Sequence, residues 1–259
     1  MPELFTFEHF KRFPSLLHTV TTKSHDLPYA FSLALHTGEA PEEITANRNR
    51  LSRLLSSETP LHYVLADQTH SDNIQCITLK ETRGWESLSD AVKECDALIT
   101  AVKGVVLGIL TADCVPILLY DRQKEVVAAV HAGWKGTKAQ IASKTVQKMI
   151  AEYGCDPEAI MAGIAPAIGR CCYEVGEEVA EHFFHTPEAL TQKGEKYMLD
   201  LPFINQKQLL EAGLKEENIE MSHTCTACEV ERFFSYRKEQ GCSGRFMSLI
   251  GIKQALSAK

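Results

Sequence analysis

"CDALITAVKGVVLGILTADCVPILLYDRQKEVVAAVHAGWKGT", residues 95 to 137, holds the strand-rich centre of the chain. Val105 to Leu110, Val115 to Tyr120 and Val126 to Val130 are short apolar runs rich in β-branched residues, which reads as three buried strands. Pro116 cannot donate to a sheet ladder, so it belongs at a strand start or an edge. Between the first two runs, Thr111, Ala112, Asp113 and Cys114 set an acid beside a thiol. Burying an unpartnered carboxylate is costly, so the interruption has a local purpose. It is either a tight turn in which Asp113 caps backbone amides, or a functional site.

Toward the C-terminus, Ile141, Ala142, Thr145, Val146, Met149, Ile150 and Tyr153 fall on one helical stripe that Gly154 can close. "AIMAGIAPAIGRCCYEVG" reads as a strand running into a Gly/Pro loop, and "EEVAEHFFH" as a short helix. "DLPFINQKQLLEAGL" has the marks of a capped helix: Asp200 as N-cap, Pro202 in the first turn and Gly213 at the stop. "RFFSYRKEQGCSGRFMSLIGI" reads as a hairpin. Toward the N-terminus, a helix begins near Pro41 with Glu42 and Glu43 in its first turn, and "HYVLADQTHSDNIQCITL" reads as two short strands around a polar turn. No repeat, linker or low-complexity tract divides residues 1–259, so one domain is expected. Strands and helices mix without a regular βαβ repeat, which makes the expected class α+β.

The charge balance excludes some partners. With a formal net charge of −7, the chain lacks the basic stripe of a nucleic-acid or membrane-surface binder. No apolar run reaches membrane-spanning length and the N-terminus has no signal-peptide pattern, so a cytoplasmic location is expected. The nine cysteines then read as reduced thiols, mostly core filler with one or two ligands.

Three apolar runs end in a group that can bind a metal. His70 follows "VLADQT", Cys114 follows "LGILTAD", and His131 follows "VVAAV". Two histidines and a cysteine make a known zinc environment, and three protein ligands leave a fourth position open for water or substrate. The same residues allow a second reading: Cys114 as nucleophile and His131 as base, with Asp113 orienting the ring. The residues alone do not separate the two.

"SHTCTACE" gathers His223, Cys225 and Cys228, but a structural zinc needs four ligands and no second pair follows at suitable spacing. The zinc nucleobase deaminases pair H-x-E with P-C-x-x-C, and no H-x-E precedes this C-x-x-C, which disfavours that fold. His182 and His185 share a helix but flank Phe183 and Phe184, an ordinary half-buried surface. Arg48, Lys135, Arg170, Arg237 and Arg245 are candidates for an anion, since arginine suits bidentate phosphate contact. "GWKG" ahead of a helix adds backbone amides but is not a P-loop.

The ordered set "QTHSDNI", "DALIT", "TADCVPILLYD", "AAVHAGWKGT", "GIAPAIGRCCYEVG" and "FFSYRKEQGCSGR" resembles the YfiH/YlmD family, the laccase-domain or multicopper polyphenol oxidase-like proteins now assigned as purine nucleoside phosphorylases. The resemblance implies a single α+β domain with a layered mixed β-sheet core flanked by helices, similar to a toxin-type cysteine hydrolase. It implies one zinc on His70, Cys114 and His131. It also implies phosphorolysis of adenosine, inosine, guanosine and methylthioadenosine, with adenosine deamination. Within that reading Arg48 and Gln68 are substrate-binding candidates, Arg48 positioning phosphate, and Asp113 is the candidate proton shuttle or the holder of its turn. The laccase label fits poorly, since none of the ten histidines forms an H-x-H pair; copper enters only as a substitute for zinc. One departure stands out: Ala34 occupies a position where the family carries Asn, and the loop after it is shorter.

Overall fold

The computed structural model describes residues 2–55, 59–241 and 243–254. The first strands are β1 (Leu4–Phe5), β2 (Leu16–Thr21), β3 (His62–Leu65), β4 (Ile74–Cys76) and β5 (Ala97–Thr100). The central run supplies β6 (Val105–Thr111), β7 (Val115–Asp121) and β8 (Val126–Ala132), followed by β9 (Ile160–Ile164). Then come β10 (Glu174–Val175), β11 (Leu190–Lys193), β12 (Lys196–Leu199), β13 (Ile219–Met221) and β14 (Phe246–Ile252). One sheet has the order β1-β2-β14-β6-β3 and a second has β13-β9-β7-β8-β5-β4, while β10, β12 and β11 form a small third. The second sheet is antiparallel at its centre and parallel at both edges, where β13 meets β9 and β4 meets β5.

The central strands read as unbroken apolar runs because both faces of both large sheets are covered; every residue of β6, β7 and β8 is buried. Leu107 and Ile109 of β6, Phe246 and Ile250 of β14, Leu118 of β7 and Val127 of β8 share the apolar layer between the sheets. On the far side of the second sheet, Ile117, Leu119, Ala128 and Val130 pack with Ile141, Val146 and Met149, and with Ile204 and Leu209. On the far side of the first, Val106, Leu110, Met247 and Leu249 pack with Phe31, Leu33 and Leu51. Each fully buried Leu, Ile or Val contributes roughly 1.5–3 kcal/mol. The result is a layered α+β fold with mixed sheets.

The helices follow their punctuation. They are α1 (Glu8–Lys11), α2 (Pro41–Leu54), α3 (Trp134–Lys138), α4 (Ile141–Tyr153), α5 (Glu177–Ala180) and α6 (Leu201–Glu211). Gly154 closes α4 at φ 64°, and the Asp200 carboxylate accepts from Phe203 N at 3.1 Å to cap α6. Pro116 is the second residue of β7, at a strand start but in a central strand rather than at an edge.

Two connections set up the site. β6 lies in the first sheet and β7 in the second, so Ala112–Cys114 carries the chain across the gap instead of closing a hairpin. β3 and β4 also lie in different sheets, and the turn holding His70 makes the same crossing. The expected C-terminal hairpin is absent: β14 is its only strand among the described residues, and it pairs with β2 and β6. The segment before β14 turns back on itself instead. Ser235 N donates to the Glu239 carboxylate at 2.8 Å, and Arg237 N donates to Asp113 at 2.7 Å.

Candidate active site and metal centre

The two crossings and the end of β8 converge. His70, Cys114 and His131 bring their donor atoms within 4.8 Å of one another. Cys114 Sγ lies 3.8 Å from His70 Nε2, against about 3.5 Å for the N–S edge of a tetrahedral zinc site. The two imidazole rings meet at 76° with centroids 4.8 Å apart. His131 is buried, Cys114 half-buried and His70 exposed, so the set opens outward on one side. Gly133 makes room for it. A Cβ there would stand 3.0 Å from both Cys114 Sγ and His70 Cδ2, although its φ of −71° suits any residue.

Asp96, fully buried just ahead of β5, holds the arrangement together. One oxygen accepts from His131 Nδ1 at 2.7 Å and from His70 N at 3.0 Å. The other accepts from Ser71 N and Ser71 Oγ, both at 2.7 Å, and from Thr69 N at 3.2 Å. Three successive backbone N–H groups thus wrap one carboxylate, which explains why His70 sits at φ 60°. Burial opposes ionisation of Asp96, but His131 and Ser71 outweigh it and bring its pKa down to about 2. The bond to Nδ1 turns the other ring nitrogen toward Cys114, the carboxylate–histidine support common behind metal ligands.

Asp96 was missed in the sequence, although "DALIT" was picked out as a motif. An acid directly preceding a fully apolar strand was the available signal. Asp113 does not orient the His131 ring as expected from sequence: Asp96 holds that ring, and both Asp113 oxygens are taken by Thr226 and Arg237. Electrostatically, burial disfavours the Cys114 thiolate, yet His131 and His70 hold the thiol down to about 6. Burial likewise disfavours His131 as a cation, and Cys114 with Asp96 raises it to about 9. The donor set fits zinc: two nitrogens and one sulfur, one ring pre-oriented, and space left by Gly133.

Asp113 is buried at φ 88°, and both its oxygens are engaged. Thr226 Oγ1 donates to one at 2.6 Å and Arg237 N to the other at 2.7 Å. Its own carbonyl accepts from Ile168 N at 2.9 Å. The acid in "TADC" therefore caps a backbone amide, but one brought from 124 residues away.

A cavity of about 650 Å³ lies over the donor set, and its walls include Gln68, Arg48, Asp113, Trp134, Tyr173 and Tyr236. Gln68 has both ends of its amide on Leu110, donating to the carbonyl at 2.8 Å and accepting from the N–H at 2.9 Å. It extends β6 with a side chain. Arg48 is fully buried in the wall; Nε donates to Leu33 O, and Nη1 to Gly84 O and Trp85 O. Its Nη2 has no hydrogen-bond partner among the described residues. Of the other candidate cations, Arg237 and Arg245 reach the cavity, and their guanidinium carbons lie 5.3 Å from the Tyr173 ring and 5.7 Å from the Tyr236 ring. Lys135 and Arg170 are not among the lining residues; Arg170 instead meets Glu188 O and the Asp200 carboxylate. Ala34 is also outside the lining, buried beside Leu33 and Leu51.

Comparison with known proteins finds relatives over nearly the whole chain. The family model described as "Multi-copper polyphenol oxidoreductase laccase" matches residues 18–253. The chain is 34% identical over 233 residues to purine nucleoside phosphorylase YlmD of Bacillus subtilis, covering 87% of this chain and 83% of that one. It is 37% identical over 189 residues to adenosine deaminase RL5 from an unknown prokaryotic organism, covering 70% and 72%. The crystal structure of Bacillus licheniformis hypothetical protein YfiH superposes with a TM-score of 0.90 at 34% identity, covering 98% and 97% of the two chains. With its motifs, its layered fold and its near full-length relatives in agreement, the chain belongs to the YfiH/YlmD family, whose family model bears the multi-copper polyphenol oxidoreductase laccase description.

Proposed function

We propose that the chain is a zinc-dependent purine nucleoside phosphorylase, acting on adenosine, inosine, guanosine and methylthioadenosine, with adenosine deaminase activity at the same site. One observation carries this reading: His70, Cys114 and His131 converge under a cavity walled by tyrosines and arginines, with His131 locked by Asp96. The relatives' names supply the substrate class. Zinc held by these three residues would polarise an oxygen and acidify a bound water. Copper is a substitute at such an N/S site, and a single three-donor set does not make a multicopper oxidase.

The chain's own residues do the rest. Asp96 holds the proton on His131 Nδ1, which leaves Nε2 free for the metal side. Tyr236, 55% exposed at the cavity, offers a ring face to a purine. In phosphorolysis a phosphate oxygen bonds to C1′ as the C1′–N9 bond breaks, and the purine leaves with a proton. Arg245 and Arg237 are the arginines placed to hold that phosphate. Backbone carbonyls engage Nη1 of all three arginines, but Arg48, the first candidate by sequence, is fully buried in the wall, whereas Arg237 is exposed and Arg245 half-buried. Gln68 likewise positions β6, and Asp113 holds its turn rather than shuttling protons. Location in the cytoplasm and a single domain complete the proposal. Among the described residues, no helix is long and apolar enough to cross a membrane.

A second reading rests on the same three side chains without metal: Cys114 as nucleophile, His131 as base and Asp96 as its orienter, a cysteine hydrolase. Phosphate-dependent release of hypoxanthine from inosine separates the two. We expect turnover that requires phosphate, and ammonia release from adenosine that does not. Arg245→Ala should raise KM for phosphate about 10-fold while changing ammonia release less than about twofold. A zinc-free wild type with a readily alkylated Cys114 and no nucleoside turnover would establish the hydrolase instead.

A further inference from the structure

A second sulfur cluster lies outside the cavity. Cys171 and Cys172 sit in the turn after β9, and Cys225 and Cys228 in the loop after β13. Their four Sγ atoms all lie within 4.8 Å of one another. Cys228 Sγ is 3.5 Å from Cys171 Sγ and 3.5 Å from Cys172 Sγ. An S–S edge in a tetrahedral ZnS4 site is about 3.8 Å, whereas a disulfide bond is about 2.05 Å. The spacing is that of ligands around a shared centre. The C-x-x-C pair considered alone lacked two ligands, and no pair follows it in sequence; the missing pair precedes it by more than fifty residues.

The backbone around the cluster is built toward the sulfurs. Gly169 N donates to Cys225 Sγ at 3.2 Å. A Cβ on Gly169 would stand 3.4 Å from Cys225 Cβ and 3.5 Å from Cys171 Sγ, so Gly169 lies against both cysteine segments. Each pair is curled by its own turn. Cys172 N and Tyr173 N both donate to Gly169 O, while Cys228 N and Glu229 N both donate to Cys225 O. A β-bridge from Ala167 to Cys225 ties the two segments together.

We propose that Cys171, Cys172, Cys225 and Cys228 form a tetrathiolate site for zinc, separate from the cavity. Tetrahedral S4 sets favour zinc, and four protein ligands leave no position for substrate, so the site is structural. Its neighbours show what it fixes. Tyr173 follows Cys172 and lines the cavity; Thr226 follows Cys225 and donates to Asp113. The metal thus clamps a loop that walls the cavity to the loop that holds Asp113, and the inference does not depend on which substrate that site takes.

Zinc is counted by mass spectrometry in wild type, Cys114→Ala and Cys228→Ser, each purified under reducing conditions without a metal-affinity tag. We expect two, one and one per chain. Cobalt-loaded Cys114→Ala should show the visible spectrum of a tetrahedral tetrathiolate. If Cys228→Ser fails to fold, native alkylation of Cys114→Ala decides the matter: the four cysteines should be protected until a strong chelator is added. A Cys114→Ala chain without metal, with these cysteines alkylated at once or paired as a disulfide, overturns the proposal.

Discussion

Two sulfur clusters lie near one another in this fold and differ in almost every physical respect. The first mixes two imidazoles with one thiol, opens onto a cavity and leans on a fully buried carboxylate. The second gathers four thiols, two of them exposed, on two tight turns, with the Gly169 N–H directed at one sulfur. Three protein donors with an anionic support leave a vacant coordination position for chemistry; four donors close the shell. Ligand count and surroundings, rather than the presence of cysteine, separate a reactive site from a clamp.

The largest test of this contrast exchanges the readouts. Cys114→Ala should lower kcat/KM for nucleosides by about 10³-fold or more, the equivalent of the several kcal/mol a metal Lewis acid supplies. Its melting temperature should move by only a few degrees. Cys228→Ser should do the reverse, melting roughly 5 °C or more below wild type while the remaining folded protein keeps turnover within about threefold. Melting curves and steady-state kinetics on the same samples check both. Equal losses in both variants would erase the distinction.

The support behind the first cluster comes next. Asp96→Asn keeps the shape but weakens the hold on His131 and the His70 turn, and zinc affinity should fall 10- to 100-fold. A competition titration against a chelator of known affinity measures this. An unchanged affinity would remove Asp96 from the design.

Asp113→Asn probes the boundary between the clusters, because Asp113 accepts from Thr226, inside the C-x-x-C segment. An amide nitrogen would face either a hydroxyl that must turn round or the Arg237 N–H, which cannot. We expect a loss of roughly 1–3 kcal/mol of stability, read by denaturant unfolding. A fall in kcat with unchanged stability would instead return Asp113 to proton transfer.

Much of the fold was legible in the sequence because its signals are local. The apolar runs at 105–110, 115–120 and 126–130, the Gly154 stop and the Asp200 cap all depend on neighbours a few residues away. The three candidate ligands were also visible, each following an apolar run, and they do converge. The order of sheets was hidden, since runs buried on both faces carry no alternation to show which sheet each strand joins. "TADC" was therefore legible as a turn but not as a crossing. The false hairpin at 232–252 has a similar cause. Its apolar residues Phe233 and Phe234 pack into the intersheet layer from a loop, and its backbone is drawn to Asp113. Asp96 and the second cysteine pair were missed for one reason: their partners are 25 to 57 residues away, beyond any local spacing rule.

The smallest expected effect is a control on acid behaviour. His18 lies among Phe7 and Phe10, far in sequence from either cluster, and accepts from Phe7 N at 3.1 Å. Burial holds its pKa down to about 4 from 6.5, outweighing the Phe7 carbonyl. The unfolded chain therefore takes up its proton first. The stability contributed by neutral His18 is fully present above pH 6.5 and is lost as the pH falls toward 4. His18→Gln should flatten that part of the stability profile and leave zinc content at pH 7 unchanged. A profile of unchanged slope would locate the acid sensitivity elsewhere.

The most direct test of the active-site reading follows zinc content and phosphate-dependent inosine cleavage together while the wild-type protein is stripped by a chelator and then reloaded. Cys114→Ala serves as the blank. We expect activity to disappear with the cavity zinc, to return with it, and to stay at background in the blank. Cleavage that persists in zinc-free protein, or that is absent from fully loaded wild type, would contradict a zinc-dependent phosphorylase built on His70, Cys114 and His131.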